Sequence, residues 1–297
     1  MQVSFTLWKL QIGLVVTPKK DGRWRVCVDF KPINAATKKD PYPLPFIDEI
    51  LDTVVGYERY SVCDGFSGYF QLQIAPEDQR KTTFITPWGC FCYKVLPFGL
   101  TNGPASYQKR QNWVLTPFLG KWVKDFIDDF CIYSDRVTHC AKLKAIFERY
   151  DECGGQLNPK KCFLGQPRVK LLGHVVSENG IEADPEKVKA LMLLPSPKDT
   201  KQLATFIQKV KYMSRFIPLS SQLLYPLQQA AKVDPLKWDI DCEEVFQVVV
   251  KDVLGALPTM QAPNFEETFY VNPSVGEDAI GALLLQKGKA SLYMRLV

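Results

Sequence analysis

The segment from Trp122 to Ser134 sets two adjacent aspartates, Asp128 and Asp129, between two apolar runs, Val123 to Ile127 and Phe130 to Tyr133. Two neighbouring carboxylates in the middle of a buried strand would be too costly to desolvate. The pattern therefore predicts two strands joined by a tight turn that carries both acids. By itself such a turn is usually a solvated loop. A further acid changes that: Asp64 ends a short apolar strand, Tyr60 to Cys63, and precedes Gly65 in the run DGFSGYFQLQI. If the two strands lie side by side in one sheet, three carboxylates converge at one end of it. Without cations they would repel strongly. Their oxygens are the hard ligands that Mg²⁺ prefers, and a two-metal site needs ions about 3.5–4 Å apart.

The remaining pattern predicts an α+β chain. Trp24 to Phe30 alternates as a strand, and the prolines of Asp40 to Pro45 demand an extended segment. Phe46 to Val55 reads as a helix, and Tyr69 to Ile74 as an alternating strand that buries Phe70, Leu72 and Ile74. Lys81 to Thr86 and Cys90 to Leu96 form an expected hairpin turning at Pro87-Trp88-Gly89. A helix runs from Pro104 to about Leu115, and another from Thr138 to Cys153 stops at Gly154-Gly155. Val169 to Val176 and Ile181 resemble a second hairpin, helical patterns dominate from Pro185, and strand character returns at Thr268 and over Ile280 to Gln286.

Composition narrows the setting. At 297 residues and 46% hydrophobic, the chain can bury a substantial core and hold about two domains. No apolar run approaches the roughly 18 residues that cross a bilayer, and MQVSFTLWKLQIGLVV is a poor signal peptide. The chain is expected to be soluble, intracellular and without a membrane partner. Nine cysteines contain no CxxC pair and are read as buried thiols of a reducing compartment. With His139 and His174 as its sole histidines the chain is a poor candidate for a Cys/His zinc site. The net charge of +5 is unevenly spread. Pro185 to Lys232 carries eight Lys/Arg against Glu186 and Asp199, and Lys19 to Lys39 carries seven against Asp21 and Asp29. Two basic segments around a more acidic middle fit a cleft that holds a polyanion at a metal site, and fit solvated helix and loop faces equally.

Eight segments, in order, resemble the reverse transcriptase of gypsy-type long-terminal-repeat retrotransposons, a Pol polyprotein fragment. They are KKDGRWRVCVDFKPIN (19–34), DPYPLPFIDEIL (40–51), DGFSGYFQLQIAPEDQRKTTF (64–84), LPFGLTNGPASYQ (96–108), FIDDFCIYS (126–134), LNPKKCFLG (157–165), LLGHVVSENGIEADPEKV (171–188) and LATFIQKVKYMSRFIPLSSQLLYPL (203–227). The resemblance implies a right-hand polymerase with an antiparallel palm sheet. Its parts would be fingers (1–39 and 72–103), palm (40–71 and 104–179), thumb (180–235), connection (236–263) and a truncated ribonuclease H-like start (264–297). It implies an RNA-directed DNA polymerase that extends a primer on an RNA or DNA template with dNTPs. Asp64, Asp128 and Asp129 would hold two Mg²⁺ ions, with Mn²⁺ as a substitute. Those ions would lower the pKa of the primer 3′-hydroxyl, hold the triphosphate and stabilise the leaving pyrophosphate. Tyr69 resembles the gate against a ribose 2′-hydroxyl, Lys20 and Arg25 resemble contacts to the triphosphate, and Phe98 and Gly99 resemble the pocket floor. Leu172, Gly173 and His174 resemble the primer grip, with His174 touching the primer backbone. The basic helices after Pro185 would follow the duplex backbone. A setting in the cytoplasm or in virus-like particles follows.

The likeness fails at both ends. Eighteen residues precede Lys19, where relatives have several dozen. In FYVNPSVGEDAIGALLLQ the first nuclease acid is replaced by Asn272, Asp278 is a poor metal ligand candidate, and the chain stops at Val297 before further acids. Ribonuclease H activity is expected to be absent, as in a fragment or a decaying copy. The alternative function is a catalytically inactive nucleic-acid-binding remnant. A hydrolase is remote, because GFSG at 65–68 is not a GxSxG elbow. Oligomeric state is not legible.

Overall fold

A computed structural model describes residues 14–18, 22, 24–127, 129–217, 220–233, 235–261, 266–275, 280–286 and 295–296. Lys20, Asp128 and Asp278 lie outside them, and Arg25 and Asn272 are described by backbone alone. The chain divides into two compact units, one made of Met1–Ile50 and Tyr60–Gly165, the other of Leu51–Arg59 and Gln166–Val297.

The first unit opens with an antiparallel pair, β1 (Leu14–Pro18) and β2 (Trp24–Val28), followed by helix α1 (Lys31–Ala36). Helix α2 (Ile47–Val54) begins after the proline run. Strand β3 (Arg59–Asp64), short helix α3 (Pro76–Gln79) and the hairpin β4 (Phe84–Thr86) and β5 (Gly89–Phe91) come next. Helix α4 (Gly103–Leu115) carries Pro104 in its first turn, where the missing N–H is no loss. The acid hairpin forms as expected, from β6 (Val123–Phe126) and β7 (Asp129–Ser134), with Phe126 paired to Asp129. Helix α5 (His139–Glu152) and strand β8 (Phe163–Gln166) complete a four-stranded sheet of order β6-β7-β3-β8.

Beneath that sheet Cys63, Val114, Leu115, Val123, Phe130, Ile132, Ile146 and Tyr150 form one buried cluster. Phe130 stacks on Tyr150 with ring centroids 5.3 Å apart. Each hydrophobic residue of this size contributes roughly 1.5–3 kcal/mol by leaving water. A buried polar knot pins strands to helix. Ser61 Oγ and Ser134 Oγ lie 2.7 Å from the two ring nitrogens of His139, and Gly165 N donates to Ser61 Oγ at 2.8 Å. Because Ser134 Oγ donates to the Asp135 carbonyl, it accepts from His139 Nδ1, which leaves Nε2 to accept from Ser61.

In the second unit β9 (Arg168–Leu171), β10 (His174–Ser177) and β11 (Gly180–Ala183) form an antiparallel sheet of order β11-β10-β9. Helices α6 (Pro185–Met192), α7 (Thr200–Lys211), α8 (Ser220–Leu223), α9 (Tyr225–Ala230) and α10 (Ile240–Val248) follow. Asp184, Asp199 and Asp239 cap α6, α7 and α10 by accepting from backbone N–H groups of the first turn. Leu203, Phe206, Leu227 and Phe246 are buried among these helices. An antiparallel sheet β12 (Tyr270–Val275), β13 (Ile280–Leu285) and β14 (Arg295–Leu296) ends the chain. Among the described residues no helix is long and apolar enough to cross a membrane.

Several expectations need correction. Tyr69 to Ile74 is not a strand: Gly68–Gln71 is a 3-10 helix, and pairing survives at the single bridge Gln73 to Val95. Ser67 sits in the left-handed region at φ 49°, and the Gln71 amide donates to the carbonyls of Phe66 and Gln156. These local bonds satisfy a turn where alternation predicts extension. Phe70 is consequently 42% exposed. Val169 to Val176 is broken by Leu172 and Gly173, both at positive φ, which makes three strands of an expected two. The cysteines are all free, yet Cys90, Cys92 and Cys140 are exposed and Cys63, Cys131 and Cys242 are buried.

Candidate active site

Asp64 ends β3 and Asp129 begins β7, and these strands are neighbours in the sheet. The charge of Asp64 reaches the Asp129 carboxyl. The Asp129 carboxyl is pushed above its ordinary range, first by burial, then by repulsion from Asp64, against the opposing pull of Lys161. Lys161 Nζ lies 3.3 Å from Asp64 Oδ2 and 3.4 Å from Oδ1. Asn158 N donates to the Asp64 carbonyl at 2.8 Å, and Gly65 bridges Leu157, so the Lys161 loop is held against the end of β3. The Lys161 ammonium at the two Asp64 oxygens is a monovalent cation at hard oxygen donors, the donor type that divalent cations also take. Asp128, the third predicted carboxylate, lies outside the described residues, and among those described no three His, Cys, Asp or Glu side chains cluster as a metal site.

The turn bearing the acids is strained. Ile127 stands at φ 54°, a region that a β-branched residue enters at a cost of about 1–3 kcal/mol. Gln108 of α4, fully buried, holds it: its Oε1 accepts from Ile127 N at 2.6 Å, while its Nε2 donates to Asp125 Oδ2 at 2.5 Å and Asn112 Oδ1 at 2.9 Å. Burial pushes the Asp125 carboxyl from 3.8 up to about 6, with Gln108 pulling the other way. Since the folded chain then holds that proton more tightly than the unfolded chain, the stabilising contribution is complete below pH 3.8 and is lost as pH rises through about 6. In urea titrations without divalent cations, wild type minus Asp125→Asn should lose stability across that window, by roughly 3 kcal/mol at most. A flat difference would contradict it.

Tyr69 packs edge-on against Phe98, centroids 4.9 Å apart, and against Tyr107 at 5.4 Å. Gly99 takes φ 99°, and Asn34 holds this loop by donating to its carbonyl at 2.7 Å and accepting from Thr101 N at 2.8 Å. The Tyr107 hydroxyl lies where a Cβ at Gly65 would fall, directly after Asp64. Gly65→Ala should therefore destabilise by about 1–3 kcal/mol through overpacking. Adding Tyr107→Phe should recover part of that loss in urea denaturation; no recovery would show that the hydroxyl is not the obstacle.

In the second unit, Leu172 and Gly173 adopt φ 46° and 76°, and the Tyr212 hydroxyl donates to the Leu172 carbonyl. His174 is 4% exposed, its Nδ1 is 3.1 Å from the Leu172 carbonyl, and its ring stacks on Tyr212. The turn backbone is thus held from beneath by the His174 ring, which is buried. Sequence reasoning assigned no role to Lys161, Gln108, Asp125 or Asn34. Lys161 stands within the quoted LNPKKCFLG segment and Gln108 ends LPFGLTNGPASYQ, so both were visible as letters, but a buried amide has no periodic signal.

The whole architecture matches solved polymerases. The structure of the foamy viral protease-reverse transcriptase with double-stranded DNA aligns with a TM-score of 0.88 at 20% identity, covering 97% of this chain and 51% of that one. The same foamy viral protein with an RNA/DNA hybrid gives 0.82 at 19%, covering 97% and 40%. The fold is that of a right-hand polymerase. Residues 17–176 match the family described as reverse transcriptase (RNA-dependent DNA polymerase), and the chain belongs to that family. It is 31% identical over 92% of its length to a retrovirus-related Pol polyprotein from transposon 297 of Drosophila melanogaster, and 30% identical over 94% to the Tf2-3 transposon polyprotein of Schizosaccharomyces pombe. It spans 26% and 21% of those two polyproteins.

Proposed function

We propose that the chain is the polymerase part of a gypsy-type retrotransposon Pol polyprotein, extending a primer on an RNA or DNA template by metal-dependent nucleotidyl transfer. The observation that carries this reading is the placement of Asp64 and Asp129 at the ends of neighbouring strands, with the Lys161 ammonium paired to Asp64 and its charge acting on Asp129. Asp64, Asp129 and Asp128 would hold two Mg²⁺ or Mn²⁺ ions. Bound there, such ions activate a hydroxyl nucleophile and neutralise charge on the transferred phosphoryl group and the departing pyrophosphate.

The chain's own residues would do the remainder. Asp64 and Asp129 fix the cation positions because each is anchored at the end of a buried strand. Tyr69, braced by Phe98 and Tyr107, would reject a ribose 2′-hydroxyl by steric clash, with Phe98 and Gly99 as the pocket floor. Lys20 and Arg25 would meet the triphosphate. Leu172 and Gly173 would present backbone to the primer while His174 supports the turn from beneath. The helices from Pro185 onward would act as the thumb along the duplex, with palm over 40–71 and 104–179. The amide at Asn272 makes ribonuclease H activity an unsuitable role for 264–297.

Primer extension with dNTPs and Mg²⁺, comparing wild type with Asp128→Asn, tests the reading. Extension by wild type alone is expected. Equal extension by both ends the proposal, and salt-sensitive duplex binding without any extension would identify a nucleic-acid-binding remnant instead.

A further inference from the structure

The acid-bearing turn is held by a part of the molecule that the metal ligands do not explain. Ile127, at φ 54°, precedes the aspartate pair, and a β-branched residue stays in that region only where its surroundings fix it. The fixing group is the side-chain amide of Gln108, fully buried on α4. Its orientation is set twice over. Nε2 donates to both Asp125 Oδ2 and Asn112 Oδ1, and Oε1 accepts from Ile127 N. Turning the amide over would set its NH₂ against the Ile127 N–H and its carbonyl oxygen against the Asp125 carboxylate, so both contacts would become repulsive. Asn112, one helical turn along, is itself held by donating to Tyr42 Oη at 2.5 Å. Asp125 is buried on β6, four residues before Asp129.

We propose that Gln108 is a positioning residue for the acid-bearing turn, its amide oriented by Asp125 and Asn112, so that the backbone at Ile127 delivers the aspartate pair to the cations. This rests on the metal-dependent polymerase reading above. Gln108 touches neither substrate nor reacting atoms; it acts through the turn. A carboxylate across from the Gln108 amide matters because it can only accept, which forces the NH₂ towards it and the carbonyl oxygen towards Ile127.

The test uses the full chain and two readouts, one independent of turnover. Titration with MnCl₂ gives the cation affinity, and single-turnover addition of one dNTP to a DNA primer on an RNA template gives the rate. In Gln108→Leu, both cation affinity and rate should fall about 10–100-fold, the range for removing a group that orients ligands, with little change in the KM for dNTP. The reversed pair, Gln108→Glu with Asp125→Asn, keeps an acceptor for Ile127 N and exchanges donor and acceptor at the 108–125 contact, so it should recover most of both losses. If Gln108→Leu does not fold, the reversed pair alone decides: near wild-type affinity supports the proposal and a loss as large as for Asp125→Leu overturns it. A Gln108→Leu chain that melts at lower temperature but binds Mn²⁺ and extends like wild type also overturns it, leaving the polymerase reading in place. A wild-type chain that neither binds Mn²⁺ nor extends overturns the polymerase reading, and the positioning role falls with it.

Discussion

Asp64→Asn is expected to lower primer extension about 10³-fold, corresponding to the loss of several kcal/mol of transition-state charge stabilisation, while duplex binding stays within a few-fold of wild type. The substitution keeps the shape of the side chain and removes the anion. Lys161, 3.3 Å from Asp64, then loses its partner, and the repulsion that helps raise the Asp129 carboxyl disappears. The Asp129 pKa should therefore fall, even as the proposed metal site loses a ligand. Retained duplex binding would separate loss of chemistry from loss of fold, because on the proposed reading the phosphate contacts do not depend on this acid. Extension reduced less than about tenfold would show that Asp64 is not a ligand in the reacting complex.

Phe130→Ala should destabilise the first unit by about 3–5 kcal/mol. The ring is fully buried, stacks on Tyr150 and lies in the cluster that joins α4 and α5 to the sheet. It also follows Asp129 directly on β7, so the void opens beneath the site itself. Urea denaturation followed by intrinsic fluorescence measures the change. A shift under about 1 kcal/mol would mean that the cluster closes over the gap and contributes little to holding the acids.

The β6–β7 hairpin was legible because its context is extreme: charge placed between apolar strand halves leaves the chain little choice but to fold back. The helix start at Pro104 was legible for the same kind of reason, because one residue's chemistry decides the local backbone, whereas the caps Asp184 and Asp199 emerge only from the structure. Alternation over Tyr69 to Ile74 points to a strand because it records which residues are apolar, whereas Tyr69 and Phe70 use their rings against Phe98 from a 3-10 turn. The hydrogen-bonded support of the turn was illegible. Gln108 and Asp125 are separated by 17 residues, and a buried amide and a buried acid make sense only once each is seen as the other's partner. The same holds for Lys161, which is 97 residues from Asp64.

The most direct measurement is a crystal structure of the chain with a primer–template whose primer ends in a dideoxynucleotide, an incoming dNTP, and Mn²⁺ located by anomalous scattering. The expected result is two manganese peaks about 3.5–4 Å apart, both within bonding distance of Asp64, Asp128 or Asp129, with the Lys161 ammonium displaced from its place beside Asp64. Manganese bound elsewhere, or a nucleotide seated with no cation between its phosphates and these aspartates, would contradict the metal-dependent polymerase.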